Sequence, residues 1–117
     1  MNIAMRFAAV LVGTSLVAGC TSLSEGEFNT VHAYLGSPAA KRSAINDCIT
    51  DERATSQSDK NNLSALMNVS PARYETAFCN RVVNALATGK ITYADYRKML
   101  SASADNSKLI KILQGRY

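Results

Sequence analysis

The chain has 117 residues, a formal net charge of +4 and three cysteines. This length allows one small domain at most. The charges are scattered in short groups such as Lys41-Arg42 and Arg97-Lys98, without a long run of one sign. Such a pattern argues against a nucleic-acid-binding surface and favours a solvated one, with weak attraction to anionic lipid or cell-wall polymer left open.

The first twenty residues have the organisation of an export signal. The α-amino group and Arg6 supply a positive start, and residues 7–17 are almost wholly apolar. At about eleven residues this run is too short for a membrane-spanning helix, which needs roughly 20. The small residues Ala18 and Gly19 then precede Cys20, where a signal peptidase needs room to close on the backbone.

The segment 16–20, with the sequence LVAGC, resembles the lipobox of bacterial lipoproteins. The resemblance implies that cleavage falls before Cys20, and that Cys20 receives a thioether-linked diacylglycerol and an N-acyl chain such as palmitate. Several acyl chains make such an anchor practically permanent. Thr21 stands where an aspartate retains these proteins in the inner membrane of enteric bacteria, so the resemblance favours the periplasmic face of the outer membrane. The alternative is an ordinary signal peptide with a chance cysteine.

Removal of the signal peptide, residues 1–19, would leave a lipidated tether at 20–25 and a single helical domain at 26–117. Two cysteines then remain, Cys48 and Cys79. An even count in an oxidising compartment suggests one disulfide. Closing this loop of about 31 residues would stabilise the domain by about 3–4 kcal/mol in the chain-entropy model. The alternative is two reduced, buried thiols, and the spacing does not match a metal site.

The domain is predicted to be all-α, because good helix formers dominate and few segments alternate with period two. Ser24 and Glu27 form a capping box that starts the first helix, which Gly36 ends. Ser37-Pro38 starts the second helix, since serine suits the N-cap and proline the first helical position. Asp59 is the expected cap of a short third helix.

The strongest helical pattern begins at Ser70-Pro71 and ends at Gly89, with Cys79 at the edge of its apolar stripe. A second capping box spans residues 92–95 and starts a helix whose expected buried residues are Tyr96, Met99 and Leu100. A last helix should be capped by Asp105 or Asn106. The sequence thus predicts a small bundle of about five short helices, with the second and fourth joined by the Cys48–Cys79 disulfide.

The sequence offers no convincing catalytic or metal-binding constellation. His32 is the only histidine and is expected to be solvated or partly packed. Asp95 is better explained as a helix cap than as a catalytic acid. The chain is therefore predicted to be no enzyme and to carry no cofactor beyond the lipid on Cys20.

Partner binding is the remaining hypothesis for the side chains at Tyr93, Tyr96 and Arg97, because tyrosine and arginine are favoured where proteins bind each other. The alternative is that one tyrosine ring packs in the core while the other lies at its edge.

In size and architecture, a short helical lipoprotein with one disulfide resembles the pilotins, which escort secretin subunits of secretion systems to the outer membrane. This resemblance implies a non-enzymatic module that binds another envelope protein, for instance by taking an amphipathic helix into a groove. Three other classes stay open. They are an accessory or entry-exclusion lipoprotein of a conjugation apparatus, an inhibitor of a cell-wall hydrolase, and an enzyme.

Overall fold

A computed structural model describes residues 22–101 and 103–117, which are 71% helical. Six α-helices and one 3₁₀ turn account for this part of the chain, and none of its residues lies in a β-strand. The helices are α1 Glu25–Tyr34, α2 Pro38–Glu52, α3 Gln57–Met67, α4 Tyr74–Ala87, α5 Tyr93–Met99 and α6 Ser107–Leu113, with the 3₁₀ turn at Pro71–Arg73. The predicted all-α bundle is confirmed, and its six helices correspond to the six helix starts read from the sequence.

Most helix ends lie where their sequence signals place them. The Ser24 hydroxyl accepts a hydrogen bond from the Glu27 amide at 3.2 Å, and α1 begins at Glu25. Ser37 caps α2 in the same way. Gly89 follows α4 with φ of +77°, a left-handed conformation that a residue with a Cβ rarely adopts. These ends are therefore encoded by residues within one helical turn.

Two helix starts differ from the prediction. Ser56, not Asp59, caps α3, because its hydroxyl reaches the amide of Asp59 at 3.2 Å and places that residue in the first turn. At Ser70-Pro71 the chain first makes the 3₁₀ turn, and Ser70 forms no side-chain cap. Such tight turns are common at helix N-termini, and here the α-helix proper begins at Tyr74.

The core is built around α4, which buries seven of its residues and contacts α1, α2, α3 and α6. Its most extensive partner is α2, and the predicted disulfide joins the two helices. The Cα atoms of Cys48 and Cys79 are 5.7 Å apart, inside the usual range for this bond. Cys79 is fully buried rather than at the edge, because α2 covers that flank of α4.

Two polar side chains join helices of the bundle to one another. The carboxylate of buried Glu52, at the end of α2, accepts a hydrogen bond from the Tyr74 hydroxyl at 2.7 Å. The Arg81 guanidinium donates to the carbonyls of Met67 and Leu113, the last residues of α3 and α6. A cation at two helix C-termini is favourable because backbone carbonyls there lack partners within the helix.

The end of α5 corrects one predicted core position. Tyr96 and Met99 are buried as expected, whereas Leu100 is 41% exposed. Successive helical residues are about 100° apart, so Leu100 lies on the flank of the direction that Tyr96 and Met99 share. It is also the C-cap of α5, so the helix does not continue beyond it.

Candidate functional site

The start of the described chain is fastened to α5 at Leu23. The Leu23 amide donates a hydrogen bond to the Tyr96 hydroxyl oxygen at 2.8 Å, and the Tyr93 hydroxyl donates to the Leu23 carbonyl at 3.2 Å. Both backbone groups of one residue are thus held by two side chains that lie one helical turn apart. We call this arrangement of Leu23, Phe28, Tyr93 and Tyr96 the Leu23 clamp.

The aromatic rings of the clamp support these hydrogen bonds by packing against one another. Phe28 lies with its ring centroid 5.7 Å from those of both Tyr93 and Tyr96, whose own centroids are 6.0 Å apart. Ring pairs at such distances contribute about 0.5–1.5 kcal/mol each beyond the area they bury. Leu23 itself is only 9% exposed, so it belongs to the core although the sequence suggested a tether through residue 25.

A hydrogen-bonded cap stabilises the N-terminus of α5, the helix that carries both tyrosines of the clamp. Thr92 and Asp95 form the predicted capping box, in which each side chain binds the other residue's amide. The Asp95 carboxylate also forms an ion pair with Lys108 in α6, with 2.6 Å between Oδ2 and Nζ. Partial burial raises the pKa of Asp95, but the hydrogen bonds from Lys108 and Thr92 outweigh it, so the pKa lies below its ordinary value.

The three predicted partner-binding residues occupy different environments. Tyr96 is buried with 1% exposure, Tyr93 is half-buried and Arg97 is exposed. One ring in the core and the other at its edge is the arrangement that the packing alternative predicted. Two tyrosines three residues apart are a local signal of this site, but nothing local identifies Leu23 as their shared partner.

The predicted lipidation residue, Cys20, and the signal peptide at 1–19 lie outside the described residues. Cys20 precedes Leu23 by three positions in the sequence. Three residues span at most about 11 Å between Cα atoms. Any group attached to Cys20 is therefore kept within a short distance of the Leu23 clamp.

His32 lies at the contact between α1 and α4. Its Nδ1 lies 2.8 Å from the carbonyl oxygen of Leu86, which joins α1 to α4. Within residues 22–101 and 103–117, no three His, Cys, Asp or Glu side chains are placed to hold a metal ion. His32 thus serves the contact between two helices.

A depression of about 260 Å³ lies beside α4 and α6. Along α4, Asn80, Asn84 and Thr88 each donate a hydrogen bond to the carbonyl four residues earlier, at 2.7–2.8 Å. These bonds fix a polar stripe along the wall of the depression, and Tyr117, 54% exposed, lies at its margin. A second depression of about 110 Å³ lies beside Asp95 and Lys108. Both are smaller than the roughly 300–1,000 Å³ of typical small-molecule sites.

The helices in the described part of the chain are all too short or too polar to span a bilayer. A scan against protein-family models finds no match for this chain, and searches of curated proteins and of solved structures likewise find none.

Proposed function

We propose that this protein is a lipoprotein of the periplasmic face of the outer membrane, whose helical domain binds another envelope protein as a non-enzymatic assembly accessory. Secretion systems are the setting we favour, with a role like that of the pilotins. One observation carries the proposal. The lipobox-like segment 16–20 ends three residues before Leu23, whose amide and carbonyl are both held by α5.

The clamp supports this function because it replaces a long flexible linker with a short attachment. A lipid on Cys20 would hold the domain within about 11 Å of the residue that α5 fixes. A module that acts at the membrane surface benefits from such an attachment, since a short tether keeps its binding surface at a high local concentration.

The surface we assign to the protein partner is the polar stripe of Asn80, Asn84 and Thr88 together with Tyr117. Tyrosine is enriched at protein interfaces because it combines a large rigid ring with a hydrogen-bonding group. The stripe is already fixed by its own hydrogen bonds, so a partner would not have to order it. Preorganisation of this kind is typical of binding surfaces.

The anchor is tested by comparing two variants at the lipobox. Cys20→Ser removes the acceptor of the lipid, and we expect an uncleaved, unlipidated protein by mass spectrometry of the intact chain. Thr21→Asp keeps the cysteine, so we expect normal lipidation and cleavage but retention in the inner membrane. Normal processing and membrane retention of the Cys20→Ser protein would refute the lipoprotein function.

The partner is tested with a photo-crosslinking amino acid in native envelopes. Placed at Asn84, it should yield an adduct with a secretin subunit or another assembly protein. Placed at exposed Arg42 on α2, it serves as the control and should not. An adduct with a conjugation component or with a cell-wall hydrolase would replace the pilotin-like role by the corresponding alternative. No protein adduct at Asn84 would refute partner binding at this surface.

A further inference from the structure

Charge is unevenly divided along the described chain. Residues 90–117 contain six Lys or Arg and two Asp, a net charge of +4. Residues 22–89 contain six Lys or Arg and seven Asp or Glu, a net charge of −1. The excess of positive charge therefore lies in the segment that contains α5 and α6, with Arg97 exposed on α5, whereas exposed Glu25 and Glu27 lie two and four residues after Leu23.

The two tyrosines of the clamp are each followed, four residues later, by an exposed side chain. Arg97 follows Tyr93, and Leu100 follows Tyr96. Residues four apart lie on the same side of a helix, and Leu100, the C-cap of α5, still has helical backbone angles. An exposed cation and a 41% exposed leucine thus lie one helical turn beyond the two tyrosines that hold Leu23.

We propose that this side of α5, formed by Tyr93, Arg97 and Leu100, lies against the anionic phospholipid surface of the membrane. The proposal deepens the proposed function and rests on it, because the lipid on Cys20 is what brings the surface within reach. It assigns the domain one orientation on the bilayer, with α5 towards the lipid.

The chemistry of the three side chains fits the interface of a bilayer. Arginine binds phosphate with two parallel hydrogen bonds, and basic residues next to an anchor are attracted to anionic headgroups. Tyrosine is enriched at the level of the headgroups, where its ring meets apolar chains and its hydroxyl stays among polar groups. Exposed Leu100 would lose its contact with water by entering the same layer.

The geometry also favours lipid over a protein at this surface. The tether of three residues places the clamp within about 11 Å of Cys20, which leaves little room for a folded protein between α5 and the bilayer. The membrane is therefore the occupant of this face, and the polar stripe on α4 remains the surface assigned to the protein partner.

The orientation can be measured on the mature lipoprotein purified from membranes. Its intact mass is read first, because absent acyl chains would refute the proposed function itself and the orientation with it. Isotope-labelled protein is then placed in nanodiscs of phosphatidylcholine with or without phosphatidylglycerol, whose headgroups carry a gadolinium chelate. In the anionic discs we expect the amide signals of residues 97–100 to lose several-fold more intensity than those of α2.

Two matched double variants separate the surface from general charge effects. Arg97→Glu with Leu100→Gln should reduce the signal loss at α5 to the level of α2. Arg42→Glu with Tyr34→Gln makes the same kinds of change at exposed positions on α2 and α1, and should leave the contrast intact.

Three results would overturn the orientation while leaving the lipoprotein function in place. The first is uniform broadening over the domain of the lipidated protein. The second is broadening centred on another helix. The third is a contrast of the same size in discs of phosphatidylcholine alone, which would exclude attraction to anionic lipid.

Discussion

Two regions of this domain join distant parts of the chain by opposite means. Cys48 and Cys79, 31 residues apart, are joined by a covalent bond. Leu23 is joined to residues 70 and 73 positions away by two hydrogen bonds and the packing of three rings. The disulfide restricts the chain even when it is unfolded, whereas the Leu23 clamp exists only in the folded state. The two regions should therefore respond differently to mutation.

Removing the disulfide should have the largest effect on stability. Replacing both Cys48 and Cys79 by alanine should lower the free energy of unfolding by about 3–4 kcal/mol, because the unfolded chain regains the entropy of an open loop. Urea denaturation followed by circular dichroism measures the loss. Chemical reduction of the unmodified protein should give a similar loss, and an unchanged midpoint in both experiments would contradict the prediction.

The clamp can be weakened at either tyrosine without changing ring packing. Tyr96→Phe leaves the buried Leu23 amide without its partner, which should cost about 1–3 kcal/mol. Tyr93→Phe removes a longer bond at a half-buried position and should cost about 0.5–1 kcal/mol. Hydrogen exchange at the Leu23 amide should accelerate more in the Tyr96 variant. Equal exchange rates would show that Tyr96 does not protect this amide.

The hydrogen bonds of Asp95 at the start of α5 should stabilise the fold less in acid. A carboxylate whose folded-state pKa lies below its unfolded value stabilises the fold above the unfolded pKa, and this contribution is lost as the pH falls through the folded-state pKa. The hydrogen bonds that lower the pKa of Asp95 should therefore lose their effect as the pH falls below about 4. Asp95→Asn should cost about 1 kcal/mol at neutral pH, chiefly through the helix cap, since water screens the ion pair.

Glu75 provides the matched control for Asp95. It forms a 2.6 Å ion pair with Lys60, whose hydrogen bond lowers the pKa of Glu75, but it is not part of a capping box. Thermal unfolding between pH 2 and pH 7 should show a smaller loss for Glu75→Gln than for Asp95→Asn. Equal losses would mean that the ion pair, rather than the helix cap, accounts for the stability that Asp95 contributes.

A single hydroxyl should give the smallest effect, and in the opposite direction. Ser64 in α3 is fully buried, and its Oγ has no hydrogen-bond partner in the described part of the chain. Because an unpaired buried polar group is unfavourable, Ser64→Ala should raise the free energy of unfolding by about 0.5 kcal/mol. The same urea measurement tests it, and a destabilised variant would indicate a partner for this hydroxyl.

The comparison also explains which parts of the structure could be predicted. The disulfide follows from a count of cysteines, and the caps at Ser24, Ser37 and Thr92 follow from residues within one turn. The caps depend on residues close together in the sequence, and the disulfide depends on one distinctive residue type. The all-α bundle could be predicted for the same reason.

The Leu23 clamp could not be predicted, because both hydrogen bonds involve backbone groups, which every residue possesses. Tyr93 and Tyr96 could be identified as unusual, but their partner lies about seventy residues away and carries no signal of its own. Ser56 could not be separated from Asp59 as a cap because both residue types suit that position. The exposure of Leu100 could not be predicted, because an apolar residue predicts burial whether or not a neighbour covers it.

The Leu23 clamp has a consequence for the order in which the domain is assembled. A polypeptide is synthesised from its N-terminus, so Leu23 emerges about seventy residues before the tyrosines that hold it. Contacts between residues so far apart form late, because the intervening chain must first be brought together. Leu23, near the start of the described chain, is therefore among the last residues to be secured, and a chain truncated before α5 would leave this segment loose.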